Sequence, residues 1–295
     1  MNGQKIVLAG VNFNDSSLPI IRDDPMLSAG SLFLFDPSHS AGAFDGLPAA
    51  GGLVPNVAWK EAAALMGAGS VSSLSGFVVT QNAETSAAFK VERTSKGGIH
   101  GIPSQVNQQA GQNYSYIVRL PAAIRDRILA NLGNDYYISL WHRCTRANLA
   151  ASGNQSPFHY VAAGGATSNY LFHMQGGDFA PSSGPNHAGS RRSPGNDTQS
   201  GTGPQITAGG VLNATGNGPG GTTIDLGVGV FGAWGSLNIN KAASRVLYRA
   251  YVEDLTVSGR TYAEADALDY RLWQEAFAPG GRFSNDTWTS PATLP

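Results

Sequence analysis

A strand that leads into a capped helix near the end of the chain constrains the fold more than any other feature. Over residues 247–257, β-branched and aromatic residues dominate, as they do in half-buried strands. Residues 258–260 interrupt the strand. Thr261 and Glu264 then have the spacing of a capping box, in which each side chain satisfies a backbone N–H at the start of a helix. The residues that follow place apolar side chains at helical spacing: Leu268, Leu272, Trp273 and Phe277. The pattern predicts an amphipathic helix packed on a buried strand.

Most of the remaining chain is predicted to form short strands joined by turns. Gly accounts for 38 of the 295 residues, close to twice the usual share of about 7%, and turns with positive φ favour it. Strand-like runs cover residues 31–35, 76–80, 87–91, 114–120, 136–145, 158–162, 170–174, 223–230 and 235–239. Short helices are predicted over residues 58–66 and 121–133. Many strands with turn signals between them are typical of a β-sandwich.

Three segments do not follow this pattern. Residues 1–30 are predicted to form an N-terminal arm and residues 279–295 a C-terminal tail, because both are rich in Pro, Asp, Ser and Thr. Chain ends are usually disordered unless something holds them, so we expect neighbouring subunits to order the arm. Residues 175–222 consist mainly of Gly, Pro, Ser, Asn and Thr and are predicted to form a long surface loop. A loop of that length is usually functional or disordered.

Composition excludes several classes of function. The formal net charge is −1 and the largest basic cluster is the pair Arg191-Arg192. Binding to nucleic acid without sequence preference needs several Lys or Arg to neutralise phosphates, so this class is not expected. The sequence contains no run of about 18 apolar residues, the length that a membrane-spanning helix needs. The single cysteine, Cys144, lies in a strand-like run and cannot form an intrachain disulfide, which suits a protein made in a cytoplasm.

Two local motifs are interpreted as structural. Residues 227–232 match G-x-G-x-x-G, but no helix follows to offer its N–H groups to a pyrophosphate. His142, His159 and His173 each lie in a strand-like run, where a cross-strand metal site is conceivable. Nothing in the sequence fixes their register, so we favour buried, hydrogen-bonded histidines.

Two further stretches carry a family resemblance. Residues 30–38 read Gly-Ser-Leu-Phe-Leu-Phe-Asp-Pro-Ser, and residues 51–57 read Gly-Gly-Leu-Val-Pro-Asn-Val. Together with the strand and helix of residues 247–277, they resemble laminin-G/concanavalin-like jelly-roll domains of bacteriophage tail and virion proteins. The resemblance covers residues 28–278. It implies an all-β jelly-roll sandwich with a few short helices and an N-terminal arm.

The resemblance also implies a function. It predicts a non-enzymatic bacteriophage virion protein, assembled in the host cytoplasm as a homo-oligomer with other virion proteins. A tail or baseplate protein that contacts host surface glycans is the first hypothesis, and a capsid decoration or cement protein that acts only through protein–protein contacts is the alternative. A third hypothesis, a polysaccharide hydrolase, needs two carboxyl groups about 5–5.5 Å apart. The nearest candidates, Glu253 and Asp254, are adjacent on a strand and point to opposite faces. No catalytic residue is therefore assigned.

Candidate binding residues follow from the chemistry of sugars and of interfaces. A sugar site needs an exposed aromatic ring and side chains that bond hydroxyls, and the candidates are Trp234, Tyr170, Asn169, Asp178 and Trp288. Aromatic residues also dominate protein cores, so Trp141 and Trp273 are assigned to the core and Trp234 is left open. The loop candidates for partner contact are Arg191, Arg192, Asn196 and Asp197. No cofactor is expected; Ca²⁺ bound by oxygens such as those of Asp178 and Asp197 is the alternative.

Overall fold

The structure is a computed structural model that describes residues 22–83, 87–149, 187–192, 202–211, 227–233 and 239–295. In these ranges the chain forms two antiparallel sheets, as the sequence pattern predicts. The strands are β1 (Ser31–Phe35), β2 (Leu53–Val54), β3 (Gly76–Gln81), β4 (Phe89–Arg93), β5 (Ile99–Pro103), β6 (Ser115–Arg119), β7 (Tyr136–Arg146), β8 (His187–Arg192), β9 (Gly203–Val211), β10 (Gly227–Phe231) and β11 (Ser244–Asp254). The helices are α1 (Trp59–Met66), α2 (Ala122–Ala130), α3 (Leu255–Ser258) and α4 (Tyr262–Phe277), and a 3₁₀ turn covers Pro291–Thr293.

The larger sheet is built around β11. Its order is β4-β5-β11-β7-β9-β8, and β1 also pairs with β11. β7 follows one edge of β11 along its length, while β5 and β1 share the other edge. The register shifts between Leu247 and Arg249, which marks a bulge at Tyr248. A bulge adds a residue to one strand and turns neighbouring side chains to the same face, and here it directs both Tyr248 and Arg249 away from the second sheet.

The smaller sheet has the order β10-β6-β3-β2. Its strand β10 contains the G-x-G-x-x-G match, which confirms that this motif is a glycine-rich strand. A Cβ atom at Gly229 would lie 2.1 Å from the backbone oxygen of Tyr116 on the neighbouring strand. The close approach of two strands therefore requires a glycine at this position.

The main core lies between the two sheets. The larger sheet contributes Phe33, Phe89, Ile138, Leu140, Leu247 and Val252, and the smaller sheet contributes Val54, Val78, Tyr116, Val118, Val228 and Val230, all buried. The opposite face of the larger sheet, which we call the outer face, is covered by α4 and by residues 279–295. Two smaller apolar clusters fill that second layer. Each face of the larger sheet is thus packed, which explains why β11 is buried at every position.

Helix α4 has the predicted cap and packs on the larger sheet through its apolar side. The Thr261 hydroxyl accepts a hydrogen bond from the Glu264 N–H (3.2 Å), and the Glu264 carboxylate accepts one from the Thr261 N–H (2.8 Å). Leu268 and Leu272 are half-buried against the apolar clusters of the outer face. Neither leucine lies in open solvent, but α4 contacts the sheet mainly at β7 and β9 and not, as predicted, at the terminal strand β11.

Several predicted boundaries are corrected. β11 ends at Asp254 and not at residue 257, because the Asp254 carboxylate accepts a hydrogen bond from Val257 N–H (3.2 Å) and caps α3. Strand β5 was not predicted. The predicted loop of residues 175–222 contains two strands, β8 and β9, both paired in the larger sheet. The predicted strands at residues 158–162 and 170–174 lie outside the described residues.

The limits of the arm and the tail are also corrected. Residues 22–30 pack on the outer face, where Met26 and Leu27 are buried. In the predicted tail, Phe283 is buried in an aromatic cluster and Arg146 donates hydrogen bonds to the carbonyls of Pro291 and Leu294. Both segments that the structure describes therefore belong to the packed sandwich.

Candidate functional site

A buried ionic cluster lies on the outer face of the larger sheet, where the bulge directs Arg249. The two Nη atoms of Arg249 donate to the two oxygens of Asp24, each at 2.8 Å. Nη1 also donates to the Asp36 carboxylate at 2.9 Å. The side chains of Arg249 and Asp36 are 1% and 0% exposed, so these charges interact with little solvent screening.

A second arginine completes the cluster from the C-terminal side. Arg282 donates to Asp36 at 2.8 Å and to the Ser38 hydroxyl at 3.2 Å. The guanidinium carbons of Arg249 and Arg282 lie 4.7 and 5.4 Å from the ring centre of Trp141. Both distances are within the range of cation–π attraction. The cluster thereby joins the N-terminal segment, the end of β1, β7, β11 and the C-terminal segment.

The cluster keeps the Asp24 carboxylate ionised. Burial by itself raises the pKa of Asp24, but the hydrogen bonds and the charge of Arg249 outweigh it and lower that pKa to about 2. Burial would lower the pKa of Arg249, and the two carboxylates raise it above its ordinary value instead. Near neutral pH neither Asp24 nor Arg249 is able to exchange a proton.

Asp269 of α4 is a different kind of buried carboxyl group. It is 0% exposed, and it accepts hydrogen bonds from the Trp141 indole N–H (3.0 Å) and the Tyr137 hydroxyl (3.1 Å). Burial raises the pKa of Asp269, an effect that Arg249 and these hydrogen bonds only partly oppose. The contacts of Asp269 fix α4 on the sheet.

A cleft of about 280 Å³ opens beside the cluster. Its walls belong to the N-terminal segment, to α4 and to the C-terminal segment. The lining residues are Asp24, Pro25, Trp141, Arg249, Leu272, Glu275, Ala276 and Arg282. Polar and apolar side chains thus meet at one opening, which makes this cleft a candidate ligand site among the described residues.

A second polar cluster lies on the same face, between β4, β5 and β7. His100 Nδ1 lies 3.0 Å from the Glu92 carboxylate and its Nε2 lies 2.8 Å from the Thr145 hydroxyl. Glu92 also accepts hydrogen bonds from the Thr289 N–H (2.7 Å) and from Lys90. Burial lowers the pKa of His100, and Glu92 only partly offsets this effect.

The order hydroxyl, imidazole, carboxylate is that of a nucleophilic triad. The His100 side chain is 0% exposed, however, and residues 288 and 289 cover it. Glu92 is occupied in holding the backbone of Thr289. We therefore interpret this cluster as the anchor of the C-terminal segment.

An apolar groove of about 500 Å³ lies at the edge of the smaller sheet. Two of its lining residues, Leu53 and Val71, are 53% and 48% exposed. Leu53 belongs to β2, the last strand of that sheet. Exposed apolar side chains beside an edge strand are a feature of protein interaction surfaces.

The residues predicted to bind glycans are only partly described. Trp288 is half-buried, and its ring packs edge-on to His100 (6.0 Å between centres) and beneath Arg143 (5.5 Å). Its main role in the structure is packing of the C-terminal segment. The other glycan candidates lie outside the described residues: Trp234, Tyr170, Asn169 and Asp178.

Of the predicted partner-contact residues, too, only some belong to the part of the chain that the structure describes. Arg191 and Arg192 lie in β8, at the end of the larger sheet's strand order, and not in a loop. Asn196 and Asp197 lie outside the described residues. Among the histidines, His142 is buried and its Nε2 lies 2.9 Å from the Thr207 hydroxyl, as the hydrogen-bonded interpretation predicts. His159 and His173 lie outside the described ranges.

The adjacent carboxylates Glu253 and Asp254 have separate structural partners. Glu253 forms an ion pair with Arg260 (2.6 Å) and accepts a hydrogen bond from Ser28 (2.7 Å). Asp254 caps α3 and accepts a hydrogen bond from Asn134 (2.8 Å). Both side chains are fully buried. The geometry gives neither carboxylate access to a substrate.

Sequence reasoning did not identify the ionic cluster. The one available signal was an Arg at position 249 between the apolar residues 246–248 and 250–252 of a strand, since a buried charge is almost always paired. Its partner Asp24 is 225 residues away in the sequence, and no local pattern joins the two. Trp141 and Trp273, in contrast, are 1% and 2% exposed, which confirms their assignment to the core.

Comparisons with known proteins do not classify the chain further. No family model, no curated protein sequence and no solved structure matches it. In the ranges that the structure describes, no three His, Cys, Asp or Glu side chains are placed to hold a metal ion. None of the described helices has the length and hydropathy of a membrane span. The class of the protein therefore rests on the fold alone. The described residues form a β-sandwich of two antiparallel sheets, and a helix covers the outer face of the larger sheet.

Proposed function

We propose that the chain is a non-enzymatic structural protein of a bacteriophage virion, located at the tail or baseplate, where it contacts host surface glycans. The observation that carries the non-enzymatic part is the use of the buried carboxylates. Those of Asp24, Asp36, Glu253 and Asp254 are each bound to an arginine or to a helix start. A glycosidase needs one carboxyl group that can donate a proton to the substrate, and the pKa of Asp24, about 2, does not allow this near neutral pH. Burial raises the pKa of Asp269, but its carboxyl group is 0% exposed and bound to Tyr137 and Trp141, so it does not reach a substrate.

Composition and resemblance support the virion part of the proposal. Charged residues make up 13% of the chain, against roughly 25% in ordinary soluble domains. Interface cores are depleted of charge, so such a chain suits a protein that packs against many neighbours. The resemblance to laminin-G-like virion modules rests on residues 30–38, 51–57 and 247–277, which include β1, β2, most of β11 and α4.

The experiment is an analysis of particles. Virus particles purified from cells that carry this gene should contain the chain in stoichiometric amounts by mass spectrometry. The purified chain should release no reducing sugar from host surface polysaccharide. Absence of the chain from the particles would reject the virion assignment, and release of sugar would restore the hydrolase hypothesis.

A capsid decoration protein is the second candidate, and one observation favours it. The groove beside β2 exposes Leu53 and Val71, as expected for a surface that another subunit covers. Under this alternative, Val71→Asp should reduce incorporation into particles and leave adsorption per incorporated copy unchanged. If adsorption per copy falls instead, the tail and glycan hypothesis is favoured.

A further inference from the structure

The cleft beside the ionic cluster has no net charge to attract an ion. Each cation at its wall is paired with a carboxylate: Arg249 with Asp24 (2.8 Å), and Arg282 with Asp36 (2.8 Å). Glu275, 62% exposed, lies 3.5 Å from Arg271 on the same helix. A charged ligand would have to displace one of these partners. The cleft therefore suits a neutral ligand.

The polar groups at the opening favour hydroxyl groups. Carboxylates only accept hydrogen bonds and guanidinium groups only donate them. A hydroxyl is an uncharged group that can donate to Glu275 while it accepts from Arg282, whose side chain is 34% exposed.

Size and apolar surface restrict the ligand further. About 280 Å³ lies just below the range of roughly 300–1,000 Å³ for drug-sized ligands, which leaves space for about one ring. Leu272, Ala276 and Pro25 provide an apolar wall next to the polar groups. A sugar ring has the same division between C–H faces and hydroxyl edges.

We infer that this cleft is a binding site for a single neutral sugar unit of a glycan, held by Glu275, Arg282 and the apolar side of α4. This inference rests on the proposed contact with host glycans and assigns that contact to the outer face. It differs from the sequence-based candidates, of which the described one, Trp288, packs the C-terminal segment against His100 and Arg143.

The test measures binding of neutral monosaccharides to the full chain. Saturation-transfer NMR with glucose, galactose, mannose, rhamnose and N-acetylglucosamine identifies the sugar that binds, and a titration gives its affinity. Glu275→Ala removes an exposed acceptor, and Arg282→Lys keeps the ion pair with Asp36 but loses the planar donor. Each variant should weaken binding about fivefold, the effect of one hydrogen bond. Gln274→Ala, exposed on the same helix and outside the cleft, is the matched control.

Each outcome decides the inference. Weaker binding in both cleft variants, with normal melting temperatures and an unchanged control, supports it. Binding that neither variant affects places the sugar elsewhere and overturns this site, while the proposed glycan contact stands. No binding by any of the five sugars also overturns the site. The virion assignment is decided separately by the composition of the particles.

Discussion

Arg249 connects several parts of the sandwich. It lies on the central strand β11, and its partners Asp24 and Asp36 come from the N-terminal segment and from the end of β1. A buried ion pair does not necessarily stabilise a protein more than apolar residues in the same place would, since both charges lose their hydration when they are buried. Removal of one partner is different, because it leaves the other charge buried and under-compensated.

We predict that Asp24→Ala lowers the free energy of unfolding by about 3 kcal/mol, the cost of breaking a buried pair. The measurement is urea denaturation followed by tryptophan fluorescence. Asp23→Ala is the matched control, because Asp23 is 45% exposed and pairs with an exposed Lys60. That control should leave stability unchanged within error. Equal effects of the two substitutions would mean that the ionic cluster does not stabilise the fold.

The low pKa of Asp24 predicts that the protein loses stability in acid. The pKa of Asp24 falls from 3.8 to about 2 on folding, so its contribution is complete above about pH 4 and is lost as the pH falls through 2. The pKa of Glu92, from 4.5 to about 2, has the same sign. For Asp24 the contribution is on the order of 2 kcal/mol. Urea curves between about pH 6 and pH 2 should show this loss, and Asp24→Asn should have a shallower pH dependence than the wild type. A slope that Asp24→Asn does not change would contradict the assignment.

At the scale of elements, the sequence predicted the bounds of strands and helices best where the local pattern of apolar and capping residues is strongest. Strand β1 and helix α1 have the predicted bounds to within one residue, and the capping box of α4 forms as expected. Strands β8 and β9 were missed because Gly, Pro, Ser and Thr hide the alternation of apolar and polar residues. Their place in the sheet depends on the pairing of β9 with β7 and of β8 with β9, contacts that the local sequence does not encode.

The capping box of α4 gives a prediction for this element. Thr261→Ala should lower the free energy of unfolding by about 1 kcal/mol, because the Glu264 N–H loses its acceptor at the helix start. Thr261→Ser retains the hydroxyl and should stay close to the wild type. The measurement is chemical denaturation of both variants under the same conditions. If serine and alanine destabilise equally, the hydroxyl is not the stabilising group.

The sequence predicted the types of side chain at the candidate site but not its location. Aromatic and hydrogen-bonding side chains were expected to meet at a binding surface, and Trp141 does meet two arginines. Trp141, however, was assigned to the core alone. The cleft arises from a bulge in β11 and from contacts between segments more than 200 residues apart. Neither feature leaves a periodic signal in the sequence.

At the scale of the whole molecule, both chain-end segments that the structure describes close over the outer face of the larger sheet. Residues 22–30 bring Asp24 and Met26 under α4, and the Met26 carbonyl accepts a hydrogen bond from Arg260 (2.7 Å). At the other end, Arg282 and the residues anchored by Glu92 cover β4, β5 and β7. The sheet that carries the cleft is thus completed by segments that the sequence pattern assigned to an arm and a tail.

This arrangement predicts a sharp difference between two N-terminal deletions. Removal of residues 1–27 takes away Asp24, Met26 and Leu27, and with them the partner of Arg249 and buried apolar surface. Removal of residues 1–21 leaves these contacts in place. We expect the longer deletion to be less stable than the shorter one by about 3 kcal/mol or more, the cost of breaking the buried pair between Arg249 and Asp24 alone. Thermal melting and urea denaturation of the two proteins measure this difference. If the two deletions have the same stability, residues 22–27 act as an arm that only neighbouring subunits order, and the packing of this segment on Arg249 does not contribute to the fold.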